Sequence, residues 1–453
     1  MLDFFIQLIT TPAVMLGLVA LAGLLIQRKK FADVVKGTIK TILGLLILTA
    51  GANIIVSYLT PFSTMFTEGF HLKGVVPFDE AVIGALSEKV SDIARNTSII
   101  LAFGFLVNII LARFSPFKYI FLTGHMMWIL AGGLAWAFYD LGVSSTQAVI
   151  WGSLLQGVTL VLLPALAQPI MKKVTGSNDF AYGHLTTTGV VLSAWIGKLV
   201  GNQKQNAEDV KVPKSLEFFK DTAISISVVM VVIYLITAIA AGPEYVATLS
   251  NDQNWLVFSL IQGLGFAAGV LVLLQGVRMF LGEIVPAFRG IAQKLVPGAV
   301  PALDVPVVFA FAPTALMIGF ITSIIGMTLG MFVSNIFNTV IPLPSIIGGF
   351  FGGGIAGIFG NSLGGRRGAS VAGFVYGMVL TVPVALFYPL LGLEAYGVTG
   401  IAFLVPDGII LLSLVKLFTT LNILPFVVSA AVIALIVFGL LKKKAIKKTD
   451  VSA

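Results

Sequence analysis

The sequence predicts an all-α polytopic membrane protein of about 11 transmembrane helices, arranged as two inverted five-helix repeats with re-entrant hairpins. Three observations lead there. Hydrophobic residues fill 57% of the 453 positions and charged residues only 11%, with a mean hydropathy of +1.02. A soluble surface of this length needs far more charge. Apolar runs recur along the chain, among them Ile42–Leu59, Ala148–Leu166, Ala223–Ala241 and Leu256–Leu274, each close to the roughly 20 residues that cross a hydrocarbon core. Finally, two related phrases, "GVVPFDE" at 74–80 and "GAVPALD" at 298–304, fall in the two halves of the chain.

The first span is expected near 8–26. The stretch before it lacks the basic region of a cleaved signal peptide, so it reads as a permanent span. Orientation follows from charge. The basic clusters "QRKK" (27–30), "ARFSPFK" (112–118), "MKK" (171–173), "GGRRG" (364–368) and "KKKAIKK" (442–448) mark loops on the cytoplasmic side. That placement explains the net charge of +8 by topology, without nucleic acid as a partner. The N-terminus is then outside, the C-terminus cytoplasmic, and the protein a multi-pass component of a bacterial inner membrane.

Residues 1–171 form the first repeat, and 172–221 an amphipathic cytoplasmic insertion, the one long polar segment between spans. Residues 222–392 form the second repeat. Residues 393–453 supply a re-entrant hairpin with Pro406 and Gly408 at its tip, the last span and a basic tail. An odd number of spans per half reverses the second half, so the two related phrases fall at matching places in inverted units. Transporters build midplane substrate sites from such repeats. The glycine-rich stretch 341–368 contains Pro342 and Pro344, and backbone that leaves the helix at membrane depth must be buried or line a cavity.

The chain has no cysteine, which excludes disulfides, iron–sulfur clusters, thiolate metal sites and a phosphocysteine step within it. The three histidines show no metal-binding spacing, and there is no phosphate-binding loop of the Walker type. Neither a metal, a cofactor nor an autonomous catalytic site is therefore expected. What remains are ionisable residues in apolar surroundings, which mark substrate sites. Asp304 is foremost, set among apolar residues and prolines, with Asp79 and Glu80 as its repeat-related counterparts. A carboxylate suits a neutral sugar because it accepts charge-assisted hydrogen bonds from hydroxyls. His125 in "YIFLTGHMM" and His184 in "AYGHL" join the set; His71, in a wet interfacial stretch, does not.

At this level of detail the chain resembles the membrane subunit, enzyme IIC, of the L-ascorbate phosphotransferase system, within the ascorbate–galactitol group. The resemblance rests on "VVKGTIKTILGLLILTAGANI" (34–54), "YIFLTGHMM" (119–127), "AYGHL" (181–185), "QGVRMFLGEIVPAFRGIAQKLVPGAVPALD" (275–304) and "FGNSLGGRRGA" (359–369). It implies a homodimer in which a core domain moves, elevator-like, against a V-shaped dimerisation motif in the lipid bilayer. It also implies a separate IIB protein that phosphorylates the substrate from a phosphocysteine, itself charged by IIA. The family's substrate contacts fall on His125, His184 and Asp304. The ascorbate type has threonine and tyrosine where Asp79 and Glu80 stand here, and glutamines at Ile129 and Leu185, so these four positions are expected to set which hydroxyls are read. The substrate expected is L-ascorbate or a related sugar or polyol. The rival reading from the residues alone is an ion-coupled secondary sugar transporter with Glu80 and Asp304 as proton or sodium sites.

Overall fold

The computed structural model describes residues 12–72, 74–209, 222–251, 253–294 and 296–451. The first residues of the chain, with the external N-terminus expected of them, lie outside the described residues, as do Lys73 and the end of the 172–221 segment. The described chain is predominantly helical. Among the described residues, seven helices are long and apolar enough to cross a membrane, or eight if the pair Ile226–Ala241 and Pro243–Ser250, bent by 115°, is one span.

Two helix pairs form the thickest packing. Helix Phe31–Gly69 runs along Trp255–Lys294, and Pro313–Ser334 runs along Gly354–Val379. Between apolar helices in lipid, association depends on close contact rather than on water exclusion, and glycine permits the closest approach. A Cβ at Gly276 would lie 2.2 Å from the backbone nitrogen of Leu48, and one at Gly319 would lie 2.3 Å from the Gly353 carbonyl oxygen. Phe31–Gly69 extends well beyond the apolar run that announced it. Lys40, in its third turn, pairs with Glu283 of the partner helix at 3.5 Å, while the basic cluster 27–30 forms the turn before the helix, as expected of a loop.

Among the described residues, five short strands break the helical expectation. Strands β1 (Val76–Pro77), β2 (Tyr119–Phe121), β3 (Ala181–Tyr182), β4 (Val300–Leu303) and β5 (Ile401–Ala402) all pair in parallel. β4 lies between β2 and β3, while β1 pairs with β5 and Val75, just before β1, bridges to Pro342. The first strand of each half is thus flanked by segments of the other half. The physical reason is the one that made the prolines conspicuous. Backbone that leaves the helix away from water must pair its N–H and C=O groups internally, and neighbouring strands do this for one another.

The β2–β4–β3 sheet separates two apolar cores. Phe121, Ala181 and Ala302 face one, around helix Gly124–Asp140; Ile120, Tyr182 and Leu303 face the other. This is the two-residue alternation of extended chain. Two further departures concern the expected spans. The 306–334 stretch is interrupted, with helix Pro306–Phe309 separated from Pro313–Ser334. Within 172–221, Thr187–Val200 is a helix packed on Gly354–Val379, so close that a Cβ at Gly197 would lie 2.5 Å from the Gly368 carbonyl oxygen. One face of "TTGVVLSAWIG" is buried, at Gly189, Val190, Ala194 and Gly197, while Leu192 and Trp195 are exposed, and the charged residues that suggested an insertion, Lys198 apart, lie to either side of this helix.

Candidate functional site

Parallel strands in one sheet deliver their carboxyl ends to the same edge, and three of the sequence-predicted residues follow from that. Asp304 comes directly after β4, His184 two residues after β3, and His125 at the start of helix Gly124–Asp140, which β2 leads into. His125 Nδ1 lies 3.8 Å from Asp304 Oδ2, and His184 Nε2 lies 3.9 Å from Asp304 Oδ1. The two imidazole rings are 6.0 Å apart, centroid to centroid. These separations exceed a hydrogen bond, so the facing donors and acceptors are not spent on one another.

Each group is oriented by its surroundings. Asp304 Oδ1 accepts the Val305 N–H at 2.7 Å, which fixes one carboxylate oxygen at the strand end. His184 is buried, and its Nδ1 lies 2.9 Å from the Thr186 hydroxyl, which in turn is 2.6 Å from the Tyr182 hydroxyl. This chain turns His184 Nε2 toward Asp304. The Thr123 hydroxyl donates to the Gly183 carbonyl at 2.6 Å, tying the His125 approach to the His184 approach. Exposure is graded: the side chain of His125 is 45% exposed, Asp304 33% and His184 10%. The arrangement is one carboxylate between two imidazoles, able to accept from hydroxyls and donate to them.

The same three residues offer one metal-ligand atom each, all within 4.8 Å of one another. Spacing along the chain gave no sign of this, because the donors come from three strands. Their spread is wider than the roughly 3.4 Å between ligand atoms around a tetrahedral zinc ion.

The remaining predicted residues are placed elsewhere. Asp79 is buried, and its carboxylate accepts N–H groups of Leu404 at 2.9 Å and Val405 at 3.3 Å. Both bonds go to Oδ1, so that oxygen is taken by backbone. Glu80 beside it is exposed, and among the described residues no hydrogen bond or ion pair joins it to His125, His184 or Asp304. Ile129, one turn after His125, and Leu185, next to His184, are buried in the apolar core around helix Gly124–Asp140. His71 is exposed.

Sequence reading passed over two buried polar groups. Asp407, between Pro406 and Gly408, accepts the Thr188 N–H at 3.1 Å on one carboxylate oxygen and 3.2 Å on the other, and also the Thr188 hydroxyl. The acid at a hairpin tip was the available signal. Lys416 is 6% exposed and pairs with Asp140 at 2.6 Å, donates to the carbonyls of Leu390 and Leu391, and stands 4.5 Å over the Trp136 ring. Tyr396 also donates to Asp140. Spaced so far apart in sequence, Asp140 and Lys416 gave no local signal.

The family of the PTS system sugar-specific permease component (EIIC-GAT) matches this chain over residues 7–408. An ascorbate-specific PTS system EIIC component from Mycoplasma pneumoniae is 28% identical over a match 446 residues long, gaps included, that takes in 84% of this chain and 67% of that protein.

Proposed function

Because this chain belongs to the family of PTS sugar-specific permease components, we propose that it translocates L-ascorbate, or a related sugar or polyol, through a site built on His125, His184 and Asp304. The observation that carries the reading is the convergence of those three side chains at the carboxyl ends of β2, β3 and β4. As a family member the protein works with IIB and IIA partners. In our reading the IIB phosphocysteine transfers its phosphoryl group to a substrate hydroxyl. The S–P bond breaks as the O–P bond forms, and Asp304 takes the hydroxyl proton.

The finer architecture is part of the same proposal: about 11 spans in two inverted five-helix repeats (1–171 and 222–392), a terminal unit (393–453), N-terminus outside and C-terminus inside. The reciprocal flanking of the two first strands supports an inverted pair, since each repeat lends one segment to the other's, β2 beside β4 and Pro342 beside Val75. A homodimer with an elevator-like core, and IIB docking on the 172–221 segment and neighbouring cytoplasmic loops, complete it. Asp79, Glu80, Ile129 and Leu185 are proposed to tune which sugar is taken. A site that pairs a hydroxyl discriminates strongly against a molecule that leaves a polar group unpaired, at about 1–3 kcal/mol per group.

The test is uptake of labelled L-ascorbate by cells expressing this protein with IIA and IIB, together with identification of the internal product. Phosphorylated ascorbate is the expected product. Phosphorylation of a pentitol or hexitol instead would keep the class and replace the substrate. Free sugar accumulating against its gradient would overturn the reading in favour of ion coupling.

A further inference from the structure

We infer that Asp407 is a positioning residue for His184, holding the turn that carries it from the opposite half of the chain; this rests on the reading of His184 as a substrate contact. Asp407 grips the turn at two points. Its own N–H donates to the Leu185 carbonyl at 3.1 Å. Its carboxylate accepts the Thr188 N–H and the Thr188 hydroxyl. The residues immediately after His184, and the first turn of helix Thr187–Val200, are therefore fixed to a single residue, the first through its main chain and the second through its side chain. Thr187 adds a third point, its hydroxyl donating to the His184 carbonyl at 2.6 Å.

Asp407 is 5% exposed. A carboxylate so placed is retained only where donors satisfy it. Its donors here come from the helix after His184, so it caps that helix across the fold and lies at its positive end. Asp407 is in turn placed by Asp79, whose carboxylate takes the N–H groups of Leu404 and Val405 just before it. The two buried acids form a relay, each from one half holding backbone of the other, that ends at the His184 turn. Asp79, chosen from the sequence as a substrate contact, acts in this relay at one remove.

A residue that only stabilised the helix would lower stability without acting through His184, and the experiment separates the two. Full-length protein in lipid nanodiscs is treated with diethyl pyrocarbonate, and modification of each histidine is tracked by mass spectrometry, with exposed His71 as the internal reference. Asp407→Asn is expected to speed modification of His184 about tenfold, the factor matching loss of one charge-assisted hydrogen bond, with His71 unchanged. Thr188→Val, which removes only the hydroxyl leg, is expected to shift the same histidine less, and it stands in should Asp407→Asn fail to fold. In parallel, Asp407→Asn is expected to weaken sugar binding roughly tenfold in the parent and not at all in a His184→Ala background, since residues acting as a unit are non-additive. Unchanged His184 modification, or losses that add in the double variant, would overturn the inference. If the parent binds no sugar, the substrate reading fails, while the modification result still decides whether Asp407 sets the His184 turn.

Discussion

His184 Nε2 stands 3.9 Å from Asp304 Oδ1, and that contact joins the two halves of the chain. It exists because β3 and β4 pair in parallel, with Ala181 opposite Ala302 and Tyr182 opposite Leu303. Parallel register carries the next residues of both strands to one edge. The site is thus a consequence of sheet pairing between distant segments in a protein that is otherwise helical.

The two histidines are expected to fail differently. His125→Ala removes a largely exposed ring and should weaken sugar binding with little loss of thermal stability. His184→Ala removes a buried ring that partners Thr186, so binding and stability should fall together, the second by about 1–3 kcal/mol as the Thr186 hydroxyl loses its imidazole partner and keeps only Tyr182. Isothermal titration and thermal unfolding of the same preparations measure both. Equal stability losses would show that the His184 environment is wrongly described.

The pair of buried Lys416 with half-buried Asp140 is expected to be structural. Lys416→Met alone leaves Asp140 with Tyr396 as its remaining side-chain donor, and Asp140→Leu alone leaves a buried ammonium. Each should cost about 3–5 kcal/mol, while the double replacement should recover a large part of it, because the penalty is the unpaired charge and not the lost pair. Unfolding monitored by tryptophan fluorescence reads this. Additive losses in the double variant would contradict it.

Helix contact through glycine gives a third expectation. Gly319→Ala places a methyl 2.3 Å from the Gly353 carbonyl oxygen and 2.6 Å from Gly357 Cα, where only backbone could yield. It should destabilise by about 1–3 kcal/mol, as overpacking does. Gly84→Ala meets nothing within 4 Å and serves as the control, neutral or slightly stabilising in its helix. The two melting temperatures, compared in one detergent, decide it.

Much of this was legible in the sequence, and the physics says why. Membrane helices announce themselves by composition, and Asp304 stood out because a carboxylate among apolar residues and prolines needs a reason. His125 and His184 were recognisable as polar groups in apolar motifs. What the sequence withheld was pairing. Strands of two to four residues carry too little alternation to read, and nothing local says that Ala181 will lie opposite Ala302. Asp79 and Glu80 were read as one acidic pair, yet adjacent residues point apart, and the fold buries the first against Leu404 and exposes the second. Asp407 was hidden by its neighbours: Pro406 and Gly408 explained the turn, and the acid between them passed as part of it.

The most direct measurement is phosphoenolpyruvate-dependent formation of sugar phosphate by membrane vesicles containing this protein with IIA and IIB, comparing the parent with Asp304→Asn. Asparagine keeps the shape but loses the charge that accepts from hydroxyls and takes the proton. Expected is sugar phosphate inside parent vesicles and none above background with Asp304→Asn, although the variant is present in the membrane at the parent level and unfolds at the same temperature. Sugar phosphate formed at the parent rate by Asp304→Asn would contradict the assignment of His125, His184 and Asp304 as the transport site.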